Sequence, residues 1–239
     1  MNWKGRLRRW TRLWRHERSG LATIEMALSL PLILTAGGYG IELANYAIVN
    51  LRVSQVALNL ADNASRVGLM DSLSIVQLRE SDLNDILEAT QLQGDSVDLT
   101  THGRITISSL ENIQQTFDVA PVQRIHWQRC LGLKSGAGYD SSYGTTSITD
   151  GITAVLSAAG TTMAAGMGDT GYKVNAPAGS GLIFVEINYD YQPLFGSMFM
   201  SSRKIHHVAS LIVRDKRDFA QLYNPSPAAT RMTCDKYTA

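Results

Sequence analysis

Residues 21–41 contain no basic residue and a single acid, Glu25. At 1.5 Å per residue, such a stretch reaches about 30 Å, the thickness of a bilayer's hydrocarbon core. The pattern predicts a membrane-spanning helix over residues 21–42. Pro31 and the cluster Gly37, Gly38, Gly40 predict local loosening within it. The helical period continues past the span. Val49, Val53, Val56, Leu60, Ala64 and Val67 recur at intervals of three and four, with Arg52, Gln55, Asn59, Asp62 and Arg66 elsewhere on the cylinder. One helix of about 45–50 residues follows, apolar all round at first and one-sided over residues 43–70, a length that points to a span or a packing seam.

Beyond a polar break at residues 71–74, the period changes and an extracytoplasmic body of residues 71–239 is expected. Residues 81–90 read as a short helix with Ser81 as N-cap. "SVDLTTHGRITISSL" reads as two strands turning near His102 and Gly103. In "VQRIHWQRCL", Ile125 and Trp127 alternate with Arg124, His126 and Gln128, as in a half-buried strand. Residues 134–181 are rich in Gly, Ser, Thr and Ala and lack a period, which predicts a long exposed loop region with one short helix at 153–159. The clearest strand is 182–192, where Ile183, Val185, Ile187, Tyr189 and Tyr191 oppose Glu186, Asn188, Asp190 and Gln192. "KIHHVASLIVR" pairs with it across "PLFGSMFMSS", and a polar tail completes the chain. The expected class is α+β, a long N-terminal helix packed on an antiparallel sheet.

Charge orients this arrangement. Residues 1–20 carry seven basic residues against Glu17, a balance of +6, so with a net charge of +1 the remainder carries −5. A basic leader ahead of an apolar span places the N-terminus in the cytoplasm and the body outside, as a single-pass inner-membrane protein facing the periplasm or exterior. Trp3, Leu7, Trp10 and Trp14 recur at helical spacing among the arginines, the pattern of a basic helix lying on an anionic leaflet. A solvated basic tail is the plainer alternative. A secretory signal with the core "ALSLPLILTA" and cleavage after Ala36 competes with the anchor. Glu25 and the long continuation of the helix argue against it.

Glu25 itself needs an explanation, because a carboxylate inside a membrane span costs on the order of 2.5 kcal/mol or more by insertion scales. It stands at the fifth position after Gly20, which follows the basic leader directly. "G-LATIE" resembles the prepilin peptidase site of type IV pilin-like proteins. More narrowly, "SGLATIEMALSLPLIL" resembles the opening of the TadE-like minor pseudopilins of the tight-adherence (Flp, type IVc) pilus system, departing from it at Met26, where an aromatic is usual. The resemblance extends more loosely to "RIHWQRCLG" and "FVEINYDYQPLF". It implies a pilin-like fold and cleavage after Gly20, with Leu21 as the new N-terminus. Glu25 would then neutralise the free amino group of a neighbouring subunit during assembly. In low dielectric such a pair offsets much of the desolvation of both charges. The implied partners are the prepilin peptidase, other pilin and pseudopilin subunits, the inner-membrane pilus assembly platform and the lipid bilayer. An uncleaved, signal-anchored envelope or adhesion protein of the TadG-like kind is the alternative.

No other motif supports a different chemistry. Cys130 and Cys234 are too far apart in sequence for a CxxC metal site. Outside the cytoplasm they can form a disulfide worth about 4 kcal/mol in the chain-entropy model; two buried thiols that never meet are the alternative. "GMGDTG" fits G-x-G-x-x-G but follows no strand and opens no helix, so no dinucleotide cofactor is expected. His206 and His207 fall on opposite faces of a strand, which argues against a metal. The sequon at Asn63 lies in the helical run. With neither G-x-S-x-G nor H-E-x-x-H present, and a body that is net acidic, neither enzymatic activity nor nucleic-acid binding is expected.

Overall fold

The computed structural model of the protein describes residues 19–70 and 73–239. The basic segment around Trp3, Leu7, Trp10 and Trp14 lies outside the described residues, as do Asp71 and Ser72 of the polar break. Helix α1 (Ser19–Arg66) is continuous over 48 residues. Pro31 does not interrupt it. Thr35 Oγ1 donates to the carbonyls of Pro31 (2.8 Å) and Leu32 (3.0 Å), which gives these groups a second partner.

The chain forms two compact units, Met1–Asn45 with Pro193–Ser201, and Tyr46–Gln192 with Ser202–Ala239. In the first, α1 is long and apolar enough to cross a membrane, and Leu28, Leu32, Ile33 and Leu34 are exposed along it. Toward its end Glu42 is fully buried. The residues 193–201, including a 3-10 turn at Gly196–Met198, fold against this stretch.

The second unit is α+β. Strands β1 (Leu69–Met70) and β2 (Val76–Gln77) form a small antiparallel pair. They are followed by α2 (Glu80–Gly94), a 3-10 turn (Asp95–Val97) and α3 (Leu99–His102). The main sheet contains β3 (Gly103–Ile113), β4 (Val122–Leu131), β5 (Thr161–Thr162), β6 (Ser180–Asp190) and β7 (Lys204–Ile212), in the order β5-β4-β3-β6-β7 and antiparallel throughout. Its central strand is β3, flanked by β4 and β6, and β6 is the strand with the cleanest alternation in the sequence.

The periodic face of α1 becomes a core face. Val49, Val53, Val56, Ala57, Leu60, Ala61 and Ala64 are all buried. His207 of β7 bonds Asn50 at 2.7 Å, and the Tyr46 and Tyr191 rings meet edge-on at 5.0 Å, so this half of the helix lies across the sheet. Helix α2 sits beside it, linked by Asn59 to Gln93 at 3.2 Å.

Four local expectations change. The segment before Gly103 is a 3-10 turn and α3, not a strand, because Asp98 adopts a left-handed conformation and its carbonyl takes the N–H groups of Thr101 and His102. The N-cap of α2 is Arg79, not Ser81; its N–H donates to Asp82 at 3.0 Å and its guanidinium holds the same carboxylate. The helix expected at 153–159 is only a 3-10 turn at Leu156–Ala158. Lastly, Ile125 and Trp127 do not share a face. Ser109 stands opposite Trp127 and Leu110 opposite Ile125, so a bulge at His126 shifts the alternation by one.

Residues 134–181 are loop-rich, as expected, but not simply exposed. Met167, Ala176 and Ala158 are buried, and Met167 and Ala176 join Leu110, Ile125, Leu182 and Phe184 in a second core on the sheet face away from α1. The "GMGDTG" segment folds as a tight turn closed by reciprocal bonds between Met167 and Val174. Tyr143 ties this layer to the sheet through Asp169 (2.8 Å) and His206 (2.9 Å). Such a layer carries too little periodicity to read in advance, since its apolar residues are single anchors in a polar loop.

Candidate functional site

The first turns of α1 carry the residues singled out by sequence. Gly20, Leu21 and Glu25 all lie within the helix and all are exposed. Leu21 and Glu25 are four residues apart, so they occupy one face, separated by about 6 Å of axial rise. A side chain at Gly20 would meet no atom within 4 Å. Packing among the described residues therefore does not require glycine there. Among the described residues no hydrogen bond or ion pair reaches the Glu25 carboxylate, and its neighbours Leu21, Ile24, Met26 and Leu28 are each more than 60% exposed. The arrangement presents a small residue, a free helical face and an acid to whatever surrounds this part of the helix.

A second acid on the same helix is treated differently. Glu42 accepts hydrogen bonds from the backbone N–H groups of Leu194 and Phe195, both at 3.2 Å. A buried carboxylate is tolerated when such donors face it. Gly38, one turn earlier, leaves space for the Phe199 ring: a Cβ there would lie 2.5 Å from it. The sequence reading missed both Glu42 and this loop. The available signal was an acid at the last position of the span and nine consecutive uncharged residues, five of them Leu, Phe or Met, at 193–201.

Cys130 and Cys234 form a disulfide across 104 residues. It draws the C-terminal tail onto β4, where Cys130 N–H bonds Met232 at 2.8 Å and Gly132 N–H bonds Thr238 at 2.6 Å. The buried Arg104 guanidinium donates to the carbonyls of Gly132, Cys234 and Lys236 at 2.6–2.9 Å. Arg217 clamps the other end of the tail, donating to the carbonyls of Ala64 and Ser65 at the end of α1 and of Val67 just beyond it.

Four sets of polar side chains look chemical in isolation and are held by contacts within the fold. Glu80, at the start of α2, takes Arg129 of β4 in a two-point ion pair, and Arg231 stands 3.2 Å away. Glu111 accepts from Ser109 (2.7 Å) and pairs with His126 (2.8 Å). Burial pulls the His126 imidazole down, but the charge and hydrogen bond of Glu111 outweigh it and hold the group above its ordinary value. His206 and His207 do face opposite sides of the sheet, toward Asn188 and Asn50 respectively. Tyr189 is pushed up to about 12 by burial, and its hydroxyl donates to the Val97 carbonyl at 2.8 Å. Each of these groups faces neighbours of its own chain, not an open cleft.

The fold thus defines a class: an α+β protein whose N-terminal helix is long and apolar enough to span a membrane and continues into the core of a disulfide-bonded sheet domain. No protein-family model, no curated protein and no solved structure matches the chain.

Proposed function

We propose that the protein is a minor pilin or pseudopilin of the TadE-like kind, acting in assembly of a tight-adherence pilus used for surface attachment. In this reading α1 crosses the inner membrane with the basic leader in the cytoplasm. Prepilin peptidase cuts between Gly20 and Leu21, and the processed helix joins other pilin and pseudopilin subunits at the assembly platform.

The observation that carries the reading is Glu25. It is the one charged residue of the apolar stretch 21–41, with no partner among the described residues, one turn from the site where cleavage would create a new ammonium group at Leu21. A lone carboxylate in hydrocarbon is costly, and a cation from a neighbouring helix relieves that cost. Gly20 supports it independently, since among the described residues nothing packs against that position. The same helix supplies both the apolar stretch that would pack with other subunits and the buried face of the sheet domain, Val49 to Ala64. The Cys130–Cys234 bond suits an oxidising compartment outside the cytoplasm.

The test is Glu25→Ala in a strain that makes the pilus. Sheared filaments should contain the wild-type protein, while the variant should be processed normally, remain in the membrane fraction and be lost from filaments by at least tenfold. Normal incorporation of the variant would remove the role given to Glu25.

A further inference from the structure

The loop between β6 and β7 is more apolar than a hairpin connection needs to be. Residues 193–201 contain no charge, and Leu194, Phe195 and Met198 are 59%, 43% and 77% exposed. The loop is nevertheless held firmly at its base. Glu42 takes two of its N–H groups, Gly196 and Met198 donate within the loop to Pro193 and Phe195, and the rings of Phe195 and Phe199 meet edge-on at 5.4 Å. Phe199 lies on Gly38. Gly38 stands three residues before Ile41, about 4.5 Å inside the end of the apolar segment. On the same stretch of helix Leu34, Tyr39 and Ile41 are 63%, 47% and 55% exposed, so the loop continues an apolar surface that the helix already presents.

We propose that Pro193–Ser201 is an interfacial anchor, lying in the boundary between headgroups and acyl chains beside the outer end of the span. The proposal rests on the reading of α1 as membrane-spanning. Lipid is the occupant favoured by three features. The patch is contiguous with the span, its level is fixed by Gly38 and Glu42, and four of its backbone donors are already paired, which lowers the cost of leaving water. An aromatic and aliphatic tip at this depth matches the apolar face that interfacial segments bury at the boundary of headgroups and acyl chains. Glu42 then acts as a positioning residue: it sets the loop's depth through the two backbone amides it accepts.

The experiment places a single environment-sensitive nitrobenzoxadiazole label on Met198→Cys in the full chain, under non-reducing conditions that keep Cys130 and Cys234 joined. The protein is reconstituted into phosphatidylcholine–phosphatidylglycerol vesicles, with a Leu28→Cys label as a reference inside the span. The Met198 label should emit at shorter wavelength than in water. It should be quenched more by lipids spin-labelled near the headgroup than by lipids labelled deep in the chain, while Leu28 shows the reverse order. A label at 198 that emits as in water and is quenched by aqueous iodide, with Leu28 still quenched by lipid, would overturn the anchor and leave the span standing. A label shielded from both quenchers would assign the patch to a protein contact and equally overturn it. A Leu28 label that no lipid quenches would refute the span, and the anchor with it.

Discussion

Removing the disulfide by C130A/C234A should weaken the sheet domain by an amount that the topology sets. The bond spans 104 residues, and closing a loop of that size lowers the entropy of the unfolded chain by about 4.7 kcal/mol at 25 °C in the chain-entropy model. That is a large share of the total, since whole domains are stable by about 5–15 kcal/mol. The native state itself should change little. Cys130 is buried and packs against Thr106, so alanine leaves a small gap, and the tail retains the Arg104 clamp and its two backbone bonds to β4. The loss therefore arises mainly in the unfolded ensemble, which expands once the link is gone. Urea unfolding of the full chain in detergent micelles, followed by circular dichroism, should show a lower midpoint and a steeper dependence on urea, because more surface is exposed on unfolding. Measured losses commonly fall below the model value, so about 2–5 kcal/mol is expected. A loss under about 1 kcal/mol would mean that the tail contacts, not the covalent link, hold this end of the domain, and would refute the reasoning.

Three further predictions follow from buried and exposed groups. Glu80→Gln leaves the Arg129 charge buried without its counterpart and should cost about 3–5 kcal/mol in the same assay, whereas E80L/R129M should recover much of it; equal loss in both would show that the pair is not the unit that matters. His126 is held above its ordinary value by Glu111, so its contribution to stability is fully present below about pH 6.5 and is lost as pH rises through the higher folded value. The stability difference between wild type and His126→Gln should accordingly shrink from pH 6 to pH 8; His207 is depressed by burial and titrates in the opposite sense, but it is common to both proteins and cancels from the difference. At Gly20 a side chain meets nothing, so Gly20→Val should leave the urea midpoint unchanged while abolishing N-terminal processing; a destabilised variant would mean the glycine has a structural task.

The elements read most securely from sequence are those with a long, unbroken period. The length of α1 and its buried positions from Val49 to Ala64 follow from spacing alone, as do β6 and the opposite directions of His206 and His207; the expected run to residue 70 instead stops at Arg66, where the chain turns into β1. The bulge at His126 was not legible, because a one-residue insertion in a strand depends on its partner's register and leaves no trace in its own pattern. The two-strand reading of residues 96–110 failed for a related reason: Leu99 and Thr100 suit a strand locally, but Asp98 turns the chain into a short helix that fits beneath α2. Glu42 and the 193–201 loop were overlooked because their meaning depends on each other. An acid at the end of a span and a run of Leu, Phe and Met say little alone, and only the fold places the loop's amides on the carboxylate. By contrast, Gly20, Leu21 and Glu25 are legible without any tertiary context, since their spacing along one helix is the whole of the signal.

The central claim concerns that spacing, and intact mass and N-terminal mapping of the membrane-extracted protein test it most directly. In cells with an active prepilin peptidase, the account predicts a mature chain beginning at Leu21, and in cells lacking the peptidase a chain that retains residues 1–20. A mature N-terminus after Ala36, or an unprocessed leader in the presence of the peptidase, would contradict it.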